Sequence, residues 1–202
     1  MKAHLNVLVH FIQHEEIRKA ALSDVEKIAR LYEKSFPEHI MVRRGLLSSP
    51  SYISEHIQSD SEVWIVAEKG GEIVGVAALA IAPPIGLGEI ERVCVGREHR
   101  GHGTAYEICS ALVDEARRRG LGFVEAFARG DQPPMQRTFE KLGFMVYGVA
   151  PRFEVMHGDR VVREQFVHLG KEIKPETVDE SGMRLIPAAQ RIYDTVHGRD
   201  VS

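Results

Sequence analysis

The stretch that decides the fold is IERVCVGREHRGHGTAY, residues 90–106. Its first residues belong to an apolar, β-rich run from Glu89 to Val95, and this run predicts a strand. Gly96 to His102 reads as a charged loop, and from Gly103 to Arg119 the apolar residues recur at helical spacing. The sequence therefore predicts a strand, a glycine-containing loop and a long helix in direct succession.

This loop suits an anion, because the first turn of a helix leaves backbone N–H groups unpaired. Gly101 and Gly103 let the backbone approach a ligand without a Cβ in the way. Positive charge is supplied nearby by Arg97, His99 and Arg100. The residues alone leave two interpretations open: a pyrophosphate site, or a turn that merely needs glycine. A dinucleotide loop would need a third glycine where Tyr106 stands, and a P-loop would need Gly-Lys-Ser/Thr.

The rest of the chain predicts a mixed α/β sheet with helices on both faces. Ser23 as N-cap starts a helix that Pro37 ends. Gly70-Gly71, between two β-rich runs, predicts a hairpin. Pro133-Pro134 opens a later helix, and a second hairpin turns about residues 157–159. The predicted element order is β-α-α-β-β-β-α-β-α-β-β.

Composition narrows the classes of partner. The chain has 202 residues, 44% of them hydrophobic, and a formal net charge of −3. The acidic balance gives no reason to expect nucleic acid, and no run reaches the roughly 18 apolar residues of a membrane helix. Cys94 and Cys109 both fall in apolar-patterned elements. They predict reduced, buried thiols in a cytoplasmic protein.

Two ordered motifs carry a resemblance to a known family. Arg100-x-x-Gly103-x-Ala105, after its strand, resembles the cofactor-binding motif of the GNAT superfamily of acyltransferases. Thr138 to Phe144 resembles that family's Leu-Tyr-Glu-Lys-Leu-Gly-Phe segment, at a matching separation of about 35 residues. Ile17 to Pro37 resembles the family's first strand and helix. The resemblance spans residues 17–169 and implies a central mixed sheet splayed between its fourth and fifth strands.

The resemblance also implies acetyl-CoA as cofactor. The backbone of Val93 to Val95 would pair with the pantetheine arm, and the amides of Gly101 to Tyr106 would hold the pyrophosphate. Gln132 stands where the family often has an Asn that contacts the cofactor, and Phe139 would pack on it. The predicted cofactor-binding residues are Val93, Cys94, Val95, Arg100, Gly101, His102, Gly103, Thr104, Ala105, Tyr106, Gln132 and Phe139.

Catalysis is assigned to Glu89 and Glu91, because family members often use a glutamate on this strand as base or as water-holder. Being two apart, the two side chains share one face of the sheet, opposite Ile90. Two carboxylates on one face raise each other's pKa. The alternative is that both lie on a solvated strand end. Glu125, on the next strand, is a third candidate.

One departure from the family bears on mechanism: Phe139 occupies the position of the Tyr that usually acts as general acid. Water, Tyr147 or Cys94 would then protonate the leaving thiolate. The expected activity is transfer of an acetyl group from acetyl-CoA to a primary amine of a small molecule or protein, by direct attack in a ternary complex. The alternative is a catalytically weak GNAT-fold module that binds or senses acyl-CoA.

Other features receive smaller assignments. No metal site is expected, because neither His10-x-x-x-His14 nor His99-x-x-His102 has a third ligand. Arg117-Arg118-Arg119 suits the negative end of a helix dipole. The loop over residues 83–87 and the segment over residues 41–50 are expected beside the substrate entrance. Candidate substrate contacts are Phe36, Arg43 and Arg44.

The chain divides into three predicted parts: an N-terminal extension (1–16), a GNAT domain (17–169) and a C-terminal tail (170–202) with a short helix. The extension contains an apolar run, Leu5 to Ile12, that lacks a signal-peptide cleavage site. We interpret this run as an added strand or a partner contact. The extension and the tail together are candidates for building a homodimer.

Overall fold

The structure, a computed structural model, describes residues 15–198. The apolar run of the N-terminal extension, His10 and His14 lie outside these residues. The strands of the described part are β1 (Glu16–Lys19), β2 (Glu62–Lys69), β3 (Glu72–Ala82), β4 (Leu87–Val95), β5 (Phe123–Arg129), β6 (Met145–His157) and β7 (Arg160–Glu172). Its α-helices are α1 (Val25–Ser35), α2 (Ile40–Arg43), α3 (Pro50–Ile57), α4 (Thr104–Arg118), α5 (Pro133–Lys141) and α6 (Pro187–Val196).

The strands form one mixed sheet in the order β1-β2-β3-β4-β5-β7-β6. β4 and β5 run parallel, because α4 returns the chain between them. The other neighbouring strands are antiparallel. Gly70 and Gly71, with φ of 60° and 82°, form the two-residue turn of the predicted β2–β3 hairpin. The predicted mixed α/β class is confirmed.

Two hydrophobic cores lie on opposite faces of this sheet. One contains the apolar face of α4, with Ile108, Leu112 and Val124 of β5. The other contains α1 and α3, with Ile28 and Trp64. The helices therefore cover both faces, as the element order predicts.

The structure corrects one local prediction and adds one short helix. Ser23 is not the N-cap of α1, because Leu22–Asp24 form a 3-10 turn and the helix proper begins at Val25. The Asp24 carboxylate instead accepts the Ala21 N–H at 2.8 Å and is ion-paired with Arg18 at 2.7 Å. The single-turn helix α2 was not predicted, since four residues are too few to show a periodicity.

The C-terminal part includes the predicted short helix, which the structure places at Pro187–Val196. β7 continues to Glu172, beyond the predicted end of the main domain. Among residues 15–198, no helix combines the length and the apolar character that a membrane crossing requires.

Candidate active site

β4 and β5 separate halfway along their length. Their parallel pairing runs from Leu87 opposite Phe123 to Ile90 opposite Ala126. Beyond this point β4 remains paired only with β3, and β5 only with β7. The strands thus diverge, and a V-shaped opening exposes the edge of β4 after Ile90.

An irregularity in β4 coincides with the opening. The β3–β4 register shifts between Val76 and Ala78, which marks a β-bulge, and Arg92 has a φ of 56°. Such a backbone conformation is uncommon for residues other than glycine and persists only where the surroundings fix it. The bulge inserts an extra residue, so it reverses the alternation of side chains between the two faces.

The bulge is held by contacts of Arg92 on several sides. Its guanidinium is ion-paired with Glu62 at 2.6 Å and with Glu91 at 2.7 Å, and it lies 5.4 Å from the Trp64 ring centroid. Its carbonyl accepts a 2.5 Å hydrogen bond from the Tyr32 hydroxyl. Burial raises the pKa of Tyr32 well above its ordinary value, so this hydroxyl stays a donor.

A cavity of about 1380 Å³ occupies the opening. It exceeds the roughly 300–1,000 Å³ of a pocket for one small ligand. Its walls come from β4, α1, α2, the loop before α4, the end of β5, α5 and the β6–β7 hairpin. Of the predicted cofactor-binding residues it is lined by Val93, Val95, Arg100, Gly101, Gly103, Thr104, Ala105, Tyr106, Gln132 and Phe139. Cys94 and His102 are not among its lining residues.

One end of the cavity, the loop end, is formed by His99–Tyr106. Gly101 and Gly103 have φ of 83° and 96°, and a Cβ added to either would meet no heavy atom within 4 Å. Glu107 donates its N–H to the Gly103 carbonyl at 3.1 Å. The amides from Gly101 to Tyr106 belong to the loop and the first helical turn, where helix geometry offers no carbonyl acceptor. An anion fits this arrangement.

Positive side chains surround the loop end. The Arg100 Nε donates to the Val95 carbonyl at 3.0 Å, and the guanidinium carbon lies 5.2 Å from the Phe36 ring centroid. The exposed side chains of Arg137 and Lys141 also line the cavity. The sequence prediction missed these two, although their spacing of four residues puts both on one face of α5.

The other end, the carboxylate end, contains both predicted catalytic residues, and Glu89 and Glu91 line the cavity. Burial raises the pKa of Glu89, and the charge of Glu91 raises it further. Burial also raises the pKa of Glu91, against the opposing effect of Arg92. Arg92 lies 2.7 Å from Glu91, whereas the closest cation to Glu89 is Arg152, at 3.8 Å. Glu91 is thus tightly ion-paired, whereas Glu89 is only loosely paired.

The third carboxylate candidate faces other groups. Glu125 stands opposite Glu89 in the β4–β5 register but binds His168 at 3.0 Å. It is not among the residues that line the cavity. Its charge nevertheless adds to the raised pKa of Glu89.

Neither residue proposed to replace the missing tyrosine reaches the cavity. The Cys94 thiol lies in the α1 core, 4.0 Å from the Leu31 carbonyl, and burial raises its pKa to about 12. Tyr147 packs instead against Phe123, with ring centroids 5.8 Å apart. Phe139 does line the cavity and is 2% exposed. The cavity lining therefore supports neither stand-in prediction.

Some of the predicted substrate contacts line the cavity, and others do not. Phe36 and Arg44 line the cavity. Arg43 instead donates to the Gly158 carbonyl at 2.7 Å and so ties α2 to the β6–β7 hairpin. The loop over residues 83–87 adjoins the end of β4 at which Leu87 is paired with β5, and residues 84–87 are not among those that line the cavity. This lining does not support the predicted place of the loop beside the substrate entrance.

The remaining predictions concern metal ligands and the arginines at the end of α4. Within the described part of the chain, no three His, Cys, Asp or Glu side chains are grouped so that they could hold a metal ion. Arg118 and Arg119 at the end of α4 are ion-paired with Glu115, and Arg117 with Asp114. These arginines therefore stabilise the helix end.

Comparison with known proteins identifies the family. The sequence model of the acetyltransferase (GNAT) family matches residues 16–144. A stretch of 57 residues, 28% of this chain, is 40% identical to the mycothiol acetyltransferase of Corynebacterium urealyticum, of which it covers 17%. A stretch of 115 residues, 57% of this chain, is 29% identical to the amino-acid acetyltransferase of Pseudomonas paraeruginosa, of which it covers 24%. The chain thus spans a quarter or less of these curated relatives.

Solved structures share the fold. A Salmonella typhimurium protein solved with its cofactor acetyl-CoA superposes with a TM-score of 0.67 and 21% identity, over 83% of this chain and 99% of that one. The ribosomal-protein-S18-alanine N-acetyltransferase of Escherichia coli superposes with a TM-score of 0.63 and 13% identity, over 85% of this chain and 100% of that one. The motifs, the splayed sheet and the match over residues 16–144 agree: this chain belongs to the GNAT family of acetyltransferases.

Proposed function

We propose that this chain transfers an acetyl group from acetyl-CoA to a primary amine of a small molecule or a protein, by direct attack while both substrates are bound. The observation that carries the proposal is the opening between β4 and β5, which joins the loop end to the carboxylate end. One cavity thus offers an anion site at one end and a candidate base at the other, and the exposed edge of β4 lies between them.

The residues at the loop end fit coenzyme A. Gly101 and Gly103 leave open the space that a Cβ would fill, and the amides up to Tyr106 supply donors for a pyrophosphate. Arg100 adds charge. The backbone of Val93 to Val95 supplies the strand edge, and Gln132 and Phe139 line the same cavity. When bound, acetyl-CoA supplies an acetyl group activated as a thioester.

Glu89 is the base in this proposal. Only the neutral form of an amine attacks a thioester. The attacking nitrogen also loses a proton as the new C–N bond forms and the C–S bond breaks, so a base must take that proton up. Burial raises the pKa of Glu89 towards the range in which a carboxylate accepts such a proton effectively. Glu91, held by Arg92, has the role of keeping the bulge in place and the site polar.

In this proposal the leaving thiolate takes its proton from water, and Glu89 returns the proton of the amine to that water. Phe139 has no hydroxyl, and neither Tyr147 nor Cys94 is among the residues that line the cavity. The same observation favours a second candidate function, a GNAT-fold module that binds or senses acyl-CoA with little turnover. Cofactor binding is common to both candidates, since the phenyl ring of Phe139 keeps its packing position.

Two measurements on the full chain test the proposal. Calorimetric titration with coenzyme A should show saturable binding, and absence of binding would contradict both candidates. Release of free thiol from acetyl-CoA is then followed over a panel of primary amines. Amine-dependent thiol release supports the enzyme, whereas binding without release on any amine supports the module.

Three further features belong to this proposal. These are a cytoplasmic location, a homodimer built with the N-terminal extension and the tail, and the division of the chain at residues 16–17 and 169–170. Size-exclusion chromatography with light scattering, on the full chain and on a chain shortened to start at Glu15, would test the dimer.

A further inference from the structure

Arg152 lies at the carboxylate end without a close anionic partner. Its guanidinium carbon is 3.3 Å from the ring centroid of Phe127 and 5.0 Å from that of Phe153. Its nearest carboxylate oxygen belongs to Glu89, at 3.8 Å, beyond the roughly 2.7–2.9 Å of a charge-assisted hydrogen bond. Within residues 15–198 it donates no hydrogen bond, and 40% of its side chain is exposed. Its donors are therefore available to a ligand in the cavity.

Two other arginines of the cavity wall, Arg92 and Arg129, differ in this respect. Arg92 and Arg129 have carboxylate oxygens at 2.6 Å and 2.8 Å. Arg152 is instead held by stacking on aromatic rings, which limits its motion and leaves its N–H edges unoccupied. A planar guanidinium with free N–H edges matches a carboxylate in two parallel hydrogen bonds. The geometry therefore favours an anionic ligand group at this position.

The distance between Arg152 and Glu89 limits what can bridge them. The two side chains are 3.8 Å apart, and each would bind its ligand group at about 2.8 Å. An amine at Glu89 and an anion at Arg152 must then be close neighbours in one molecule. An α-amino acid meets this condition, because its amine and its carboxylate share one carbon. A polyamine lacks the anion, and the N-terminal residue of a protein has its carboxyl group in a peptide bond.

The charge balance of the reaction points the same way. Glu89 becomes neutral when it takes up the proton of the attacking amine, so Arg152 loses the charge of its nearest carboxylate. A carboxylate on the acceptor keeps Arg152 neutralised throughout.

We propose that the acceptor is a free α-amino acid, with its carboxylate on Arg152 and its amine at Glu89. The inference rests on the proposed function and narrows its acceptor from any primary amine to one class. It excludes amines of polyamines and of protein chains as preferred acceptors.

Matched acceptors test this inference. Each L-amino acid is compared with its α-amide and with the amine that lacks the carboxyl group, by thiol release from acetyl-CoA with the full chain. We expect the preferred amino acid to exceed its amide by at least about 10-fold in kcat/KM. Arg152→Gln should lower kcat/KM for the amino acid by about 10- to 100-fold, mainly through KM, and should leave that for the plain amine nearly unchanged.

Two variants control the experiment. Arg152→Lys keeps the charge and loses the planar fork, so we expect an intermediate effect. Arg160→Gln removes an exposed arginine of the same hairpin that lies outside the cavity lining, and it should have no effect. Thermal unfolding of each variant shows whether the hairpin has kept its fold.

The outcomes separate this inference from the proposed function. Amides or plain amines that react as well as amino acids would overturn the inference and leave the transferase intact. An equal loss on all acceptors in Arg152→Gln would also overturn it, since Arg152 would then merely position Glu89. If no amine releases thiol, the proposed function fails. Calorimetric binding of amino acids to the CoA-saturated protein, weakened at least about 10-fold by Arg152→Gln, then decides the inference by itself.

Discussion

The two ends of the cavity are built in different ways. The loop end consists of consecutive residues, 99–106, and the groups that it offers are mainly backbone amides. The carboxylate end combines side chains from three strands: Glu89 of β4, Phe127 of β5 and Arg152 of β6. Recognition by backbone leaves a contiguous motif in the sequence, whereas recognition by side chains from distant segments leaves none.

This difference has a functional consequence. If the loop end binds the cofactor and the carboxylate end handles the acceptor, a substitution at one end should spare the property that belongs to the other. Affinity for coenzyme A and turnover with an amine should therefore both be measured on every variant.

The largest effect is expected from Glu89→Gln, which removes the proposed base and keeps the shape of the side chain. Turnover should fall by about 100- to 10,000-fold, as for other general bases, with affinity for coenzyme A nearly unchanged. In the parent protein, kcat/KM should rise with pH as Glu89 loses its proton, at a pKa above the ordinary 4.5. Glu91→Gln serves as the comparison and should lose less turnover. A fully active Glu89→Gln variant removes this residue from the mechanism.

Gly103→Glu tests the loop end. The residue has a φ of 96°, and the new carboxylate would enter the anion site at the loop end. Affinity for coenzyme A should fall by at least about 100-fold, because several hydrogen bonds to a charged group are lost. Gly71→Glu is the matched control, since it imposes a similar backbone conformation (φ 82°) in the β2–β3 turn, outside the cavity. Unchanged affinity of Gly103→Glu in calorimetry would refute the cofactor assignment.

A third substitution should affect neither end. Glu115, 6% exposed, is ion-paired with Lys19 at 3.0 Å and with Arg119 at 3.1 Å, and also with Arg118. Burial alone would raise its pKa, but the hydrogen bonds of these cations lower it from 4.5 to about 2. Glu115→Gln should lower the free energy of unfolding by about 2–3 kcal/mol at pH 7.

The pH dependence of this stability has a definite sign. A carboxylate with a lowered pKa in the folded state stabilises the protein above the unfolded value of about 4.5 and stops doing so as the pH falls towards 2. The difference between parent and Glu115→Gln should therefore shrink over that window in chemical denaturation. Glu33→Gln, at an exposed position on α1, should change stability by less than about 0.5 kcal/mol. A constant difference down to pH 2 would contradict the assignment.

Sequence patterns predicted most of the fold because the signals are local. The β2–β3 hairpin follows from Gly70-Gly71, and α4 follows from the apolar spacing after Gly103. The failures arise where a signal is short or ambiguous. α2 has four residues, and Ser23 lost the N-cap position because Asp24, paired with Arg18, fixes a tighter turn.

The prediction of the site was less complete than that of the fold, and the reason is a different one. Ten of the twelve predicted cofactor-binding residues line the cavity, whereas the side chain of Cys94 lies in the opposite core. Ile90 and Cys94, an even number of residues apart, would share a face in a regular strand. They lie in different cores because the bulge at Arg92 reverses the alternation.

The sequence by itself determined the family, the order of the strands and longer helices, and the loop end, because each depends on neighbouring residues and on backbone groups that any residue carries. Only the tertiary structure decided the bulge at Arg92, the tight pairing of Glu91, the looser one of Glu89, and the approach of Arg152. These depend on contacts between strands far apart in the chain, and such contacts follow from how the sheet packs rather than from any local pattern.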